Sequence, residues 1–193
     1  MLQSTMTYKP MILQGDALTV PRAVMSPCRI YRYVLWREWM VGESYAMFIG
    51  LNPSTADETH DDPTIRRCVG FAQRWGYQAL CMTNLFAYRA TDPDEMKMAG
   101  FCAVGPKNDE WLKRMAENAG IIIAAWGVHG RYRKRDREVM NMLPDLSCLA
   151  LTKDGHPGHP LYLKNDCRPI PFRNSEYCDM AEQRIEKECG GLL

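Results

Sequence analysis

Apolar and polar positions along the chain fall into an alternating pattern of strands and helices. Residues 28–40 (CRIYRYVLWREWM) are rich in β-branched and aromatic side chains, and Ile30, Arg32, Val34 and Trp36 share one parity. This predicts a strand, paired as a hairpin with the next one. Residues 44–50 (SYAMFIG) form a short apolar run that reads as a buried strand. Residues 63–75 predict a helix: Asp62 can cap it, Pro63 suits its first turn, Ile65, Cys68, Val69 and Ala72 form one stripe, and Gly76 stops it. Residues 80–85 predict a second apolar strand. Asp92, with Glu95 three residues on, marks a helix start, and 106–118 predicts another helix carrying Trp111, Leu112 and Met115 on one face. Residues 121–126 (IIIAAW) predict a third buried strand, 132–142 a helix and 147–152 a fourth strand.

Alternation of this kind, with strands buried on both faces, predicts a three-layer α/β/α sandwich around a central, mainly parallel sheet. The domain is expected over 28–172, after an irregular arm at 1–27 and before a helix or tail at 173–193. In such sheets the loops that follow the strands gather along one edge, and ligands bind there.

Those loops carry the candidate chemistry. The first reads Gly50-Leu51-Asn52-Pro53-Ser54-Thr55-Ala56-Asp57. The second runs from Thr83-Asn84 to Tyr88-Arg89, the third is Trp126-Gly127-Val128-His129-Gly130, and the fourth contains His156-Pro157-Gly158-His159-Pro160-Leu161-Tyr162. Asn52 and Asn84 each carry a donor pair and an acceptor, which suits the edge of a nucleobase. A histidine can donate to a developing oxyanion. Gly50 and Pro53 fix the backbone so that amides approach a ligand closely.

The order Gly-x-Asn-Pro, Thr-Asn, Trp-Gly and His-Pro resembles the uracil-DNA glycosylase superfamily. More narrowly, the series GLNPSTAD, DDPTIRRC, TNLFAYRATDP, AAWG and LTKDGHPGHPLYL resembles a bacterial and phage domain family of unknown function (domain of unknown function 1643), over roughly residues 30–165. The glycosylase resemblance implies an enzyme that hydrolyses the N-glycosidic bond of a pyrimidine, modified or not, in DNA. It implies that Asn52 positions water, Asn84 reads the base and the last-motif histidine stabilises the leaving base. His156 and His159 both fit that motif, and His159 matches it better. In the acidic loop after Asn52, Asp57 or Asp61 reads as the carboxylate that activates water or steadies a cationic sugar, and Phe86 or Tyr88 can serve to stack on the base. The alternatives are a phage-type base- or nucleotide-modifying enzyme using the same cleft, and a catalytically dead nucleic-acid-binding module.

Charge and cysteine content refine this picture. Lys+Arg 24 against Asp+Glu 23 leaves a net charge of +1, so any nucleic-acid surface must be a local patch. Ser54, Arg89, Arg131, Arg133, Lys134 and Arg135 are the phosphate-binding candidates. The acidic stretch 57–62 also reads as a solvated loop or a Mg²⁺ site, but the glycosylase reading requires neither metal nor organic cofactor. Eight cysteines without a CxxC pair point to reduced thiols. The opening residues MLQSTMTYKPMILQGD lack the charged flank and apolar stretch of a signal peptide. A cytoplasmic protein with a DNA or nucleotide substrate and no membrane association is the expectation.

Overall fold

The computed structural model describes residues 23–42, 44–143 and 145–172. Seven strands, β1 (Ala23–Met25), β2 (Arg32–Glu38), β3 (Tyr45–Gly50), β4 (Ala79–Asn84), β5 (Ile121–Ala124), β6 (Leu146–Cys148) and β7 (Ile170–Phe172), form one mixed sheet in the order β1-β2-β4-β3-β5-β6-β7. The central four, β4-β3-β5-β6, are parallel. The flanking pairings of β1, β2 and β7 are antiparallel. Every residue of β3 and β4 is buried, which explains why these strands read as continuous apolar runs.

The two-residue period of β3 divides the core. Ala46 and Phe48 join Leu35, Leu80, Met82 and Ile123 on one face. Helix α1 (Pro63–Arg74) covers that face with Ile65, Cys68, Phe71 and Ala72. Met47 and Ile49 point the other way, into a core with Cys81 and Ala124. That core is closed by Met96 of α2 (Pro93–Met98), Leu112 and Met115 of α3 (Asn108–Ala116), and Val139 and Met140 of α4 (Arg135–Met142). The α1 boundaries follow the sequence signals. Asp62 accepts a bond from the Ile65 N–H at 2.9 Å, Pro63 occupies the first turn, and Gly76 sits at φ +86° after the last.

Three expectations are corrected. The hairpin between 28–40 and 44–50 does not form; β2 pairs antiparallel with β4, from Leu35 opposite Met82 to Glu38 opposite Ala79. Both edges of β3 are taken by parallel neighbours, and the Trp39 N–H and indole bind the Gln78 and Tyr77 carbonyls just before β4. The expected helix over 132–142 begins only at Arg135, because Arg133 and Lys134 adopt left-handed φ of +55° and +59° and re-aim the chain. The expected strand over 147–152 ends at Cys148. Beyond it the chain folds back, with the Thr152 N–H donating to the His156 carbonyl at 2.8 Å.

Strand β7 was not expected, since its Ile-Pro-Phe sequence carries a proline that only an edge strand accommodates. Of the expected arm, residues 23–25 form β1, and 1–22 lie outside the described residues, as does the expected tail at 173–193. The six described cysteines are free thiols. No helix among the described residues is long and apolar enough to cross a membrane.

Candidate functional site

The four connectors meet. A cavity of about 500 Å³ opens at the edge where the parallel strands end. Gly50, Asn52 and Ser54 line it from the first connector, Asn84 from the end of β4, Trp126 to His129 from the third connector, and Thr152, His159, Leu161 and Tyr162 from the fourth. Because β2 runs antiparallel to β4, its first residue, Arg32, lies at the same edge and also lines the cavity. Asp62 and Thr64, at the start of α1, complete one wall.

Backbone bonds hold the connectors in register. The Leu85 and Phe86 N–H groups donate to the Gly50 and Leu51 carbonyls, each at 2.9 Å, and the Ala90 N–H donates to the Pro53 carbonyl at 2.9 Å. Asn52 adds a side-chain link. Its Nδ2 donates to the Ala90 carbonyl at 2.7 Å and to the Pro53 carbonyl at 3.2 Å, so its amide oxygen remains for another partner. The fourth connector is anchored by α1, where the Arg67 guanidinium donates to the Pro160 carbonyl at 3.2 Å and to the Leu163 carbonyl. Gly127, at φ +68°, brings the third connector beside His159: a Cβ there would lie 3.9 Å from that of His159.

Three of the residues lining this space carry buried polar atoms without a hydrogen-bond partner among the described residues. Asn84 is 1% exposed, yet neither its Nδ2 nor its Oδ1 makes a hydrogen bond. The Trp126 indole N–H and the Arg32 Nε are likewise buried and unpaired. Buried polar groups are normally satisfied, and each exception calls for an explanation. Four of the seven such side-chain atoms among the described residues belong to residues that line this cavity, and the Asn84 amide with the Trp126 indole offers donors together with one acceptor, an arrangement that a planar ligand with a mixed hydrogen-bonding edge would complete.

His159 is the histidine of the last motif that lines the cavity; His156 is buried behind it, outside the lining. The His159 Nδ1 accepts, at a long 3.4 Å, from the Leu161 N–H, which assigns the proton of the neutral ring to Nε2. Burial pushes this imidazole below its ordinary pKa, against the opposing pull of Asp62. A neutral ring with a donor N–H is therefore its form at neutral pH.

The other sequence candidates lie elsewhere. Asp57 organises its own loop: its carboxylate accepts from the Thr59 and His60 N–H groups at 2.9 and 2.8 Å, which hold its pKa far below the ordinary range. Asp61 pairs with the Arg37 Nε at 2.6 Å. Pro53 is buried beneath the cavity, and its carbonyl is already taken. Phe86 is fully buried against Tyr132 on the α4 side of the sheet, ring centres 5.8 Å apart. Tyr88 packs edge-on to Tyr31, and Arg89 Nη1 donates to the Arg29 carbonyl at 3.2 Å.

Arg133, Lys134 and Arg135 border a second, smaller hollow of about 300 Å³ together with Phe86 and Phe101. Arg135 is buried there by Asp109, Glu138 and the Leu85 carbonyl, and Arg131 is exposed outside both hollows. Among the described residues no group of three or more His, Cys, Asp or Glu side chains is arranged to hold a metal ion.

Sequence reasoning placed Trp126 in a candidate connector without giving it a role, and it passed over Arg32 and Asp62 as site residues. Asp62 carried a sufficient local explanation as a helix cap, and a lone arginine in an alternating strand reads as a solvated face.

Fold and cavity together define an α/β protein with a cleft at the carboxyl edge of its parallel strands, the edge where open α/β sheets in general bind ligands. Residues 32–161 match the family described as Protein of unknown function (DUF1643), and the chain belongs to that family. No curated protein and no solved structure matches it.

Proposed function

We propose that this protein grips a single nucleobase in the cleft and hydrolyses the N-glycosidic bond of a pyrimidine, modified or not, in DNA, on a three-layer fold of the uracil-DNA-glycosylase kind. The observation that carries this reading is Asn84. Its buried, unpaired donor and acceptor match the adjacent acceptor and donor on a pyrimidine edge. Enclosure of that kind requires the base to leave the stack first.

The reaction breaks the bond from C1′ to the base nitrogen, and the electron pair leaves with the base. Water bonds to C1′ and gives up its proton. His159, donating through Nε2, meets the charge developing on the base oxygen; one such donor is worth on the order of 3 kcal/mol in the transition state. Asn52 orients the water through its amide oxygen, because its Nδ2 is committed to the Ala90 carbonyl. The water's proton passes to Asp62, which lines the cleft and caps α1 through Oδ1 alone, whereas Asp57 and Asp61 do not line it.

Engagement of Asp62 in that cap also favours a second reading, in which the cleft holds a base for modification without hydrolysis. One assay separates the two. Single strands and duplexes containing uracil, 5-hydroxymethyluracil and other modified pyrimidines are incubated with the protein. The hydrolase reading expects abasic sites, reduced about 100-fold or more in Asn84→Ala and His159→Ala. Base conversion without abasic sites supports the second reading. Salt-dependent DNA binding that both substitutions leave unchanged, with no product, contradicts both and favours a binding module.

A further inference from the structure

We infer that Arg32 binds the phosphate of the nucleotide whose base Asn84 holds, so that the cleft recognises an anionic nucleotide and not a base alone. The inference rests on the nucleobase reading for the identity of the ligand. Its anionic half stands on Arg32 itself.

The comparison with Arg135 carries the argument. Both guanidinium groups sit in residues 2% exposed. Arg135 is satisfied by two carboxylates, Asp109 and Glu138, and by the Leu85 carbonyl. Among the described residues the Arg32 guanidinium forms no ion pair, and it makes one hydrogen bond, from Nη1 to the Ala56 carbonyl at 2.7 Å. Its Nε is buried without a partner. A guanidinium offers five donors in a rigid fork, so most of this one is unused.

Burial disfavours its charge, pushing its pKa down to about 10, and Asp62 offsets this only across a distance. The Asp62 carboxylate is itself engaged at the head of α1. An uncompensated buried charge is among the costliest features a fold can carry. What distinguishes Arg32 from Arg135 is the cleft: Arg32 lines it. A bound anion would supply the missing partner in the bidentate geometry that a guanidinium favours.

On the nucleobase reading the anion is a phosphate. Arg32 begins β2 and Asn84 ends β4, its antiparallel neighbour, and both residues line the cleft. A nucleotide with its base on Asn84 can therefore turn its phosphate toward Arg32 within the same cavity. The phosphate is that of a free nucleotide or of a nucleotide extruded from a DNA strand, and the chemistry at Arg32 is the same.

The test is calorimetric titration of the whole protein at low salt with deoxyuridine, its 5′-monophosphate and the trinucleotide containing it, alongside the thymidine and deoxycytidine equivalents. The wild type is expected to prefer a phosphorylated ligand by about tenfold or more over the nucleoside. Arg32→Gln should reduce that ratio of nucleotide to nucleoside affinity to about one, and Arg32→Lys should keep part of it. Preference for the monophosphate alone assigns a free nucleotide; preference shared with or confined to the trinucleotide assigns a DNA strand.

Equal affinity for nucleoside and nucleotide in the wild type overturns the inference, whatever the variants do. So does a phosphate preference that survives in Arg32→Gln. Inorganic phosphate separates this failure from failure of the nucleobase reading. If no nucleoside or nucleotide binds but phosphate raises the melting temperature of the wild type and not of Arg32→Gln, the anion site stands and the base reading falls. If neither phosphate nor nucleotide has any effect, the anion site falls.

Discussion

Gly50 leaves no room for a side chain: a Cβ there would meet the Met82 Cε at 2.7 Å and the Asn84 Oδ1 at 2.9 Å. Met82 can shift at its flexible end, whereas Asn84 must keep its position to read a ligand. Gly50→Ala is therefore expected to weaken nucleoside binding by about tenfold or more while the protein stays folded, as measured by titration beside a thermal melt. The histidine of the cleft gives a pH prediction. His159 is held below the ordinary 6.5 by burial. As pH falls through that ordinary value, the unfolded chain takes up the proton first, so stability is lost. Urea unfolding of the wild type relative to His159→Gln should show a constant difference above about pH 6.5 and a falling one below it. His156 shifts in the same direction, so the comparison with Gln at 159 isolates the cleft residue. The residues hardest to read from sequence were those whose meaning depends on neighbours. Arg32 looks like a surface charge until β4 and the first connector close over it, and Phe86 looks available for stacking until the turn after β4 drives it into the core.

At the scale of elements, α1 links local signals to the cleft. Its cap residue lines the cavity, and its Arg67 holds the carbonyls on either side of Leu161 and Tyr162. Asp62→Ala is expected to lower stability by about 1 kcal/mol through loss of the cap, and Asp62→Asn to recover most of that, since asparagine caps equally well. Hydrolysis should be lost in both, because neither restores the carboxylate; chemical denaturation and the abasic-site assay read the two effects separately. The elements with strong periodicity were legible in advance. The apolar runs of β3, β4 and β5 and the stripe of α1 needed only local information. Strand pairing was not legible in the same way, because the choice of β4 over β3 as the neighbour of β2 is made across the sheet. The start of α4 was hidden because two left-handed residues without glycine leave no compositional trace, and the charge run around Arg135 concealed a buried guanidinium with two exposed carboxylate partners.

For the molecule as a whole, the decisive property is that connectors far apart in sequence share one cavity. That convergence followed from the alternation of strands and helices, since parallel strands must end along a common edge. The exposed cations Arg131, Arg133 and Lys134 lie outside the cleft, so a net charge of +1 is matched by no ring of positive charge drawn from that run. Recognition on this account is concentrated in the buried groups of the cleft. The central claim, that a pyrimidine sits on Asn84 inside it, is tested most directly by NMR titration of nitrogen-labelled protein with deoxyuridine and thymidine. The account predicts saturable shifts of the Asn84 side-chain amide and of the Trp126 indole N–H, both lost in Asn84→Ala. The indole of Trp39, already bonded to the Tyr77 carbonyl at 3.0 Å, should not move. Shifts that spare Asn84 and Trp126, or that persist unchanged in Asn84→Ala, would contradict it.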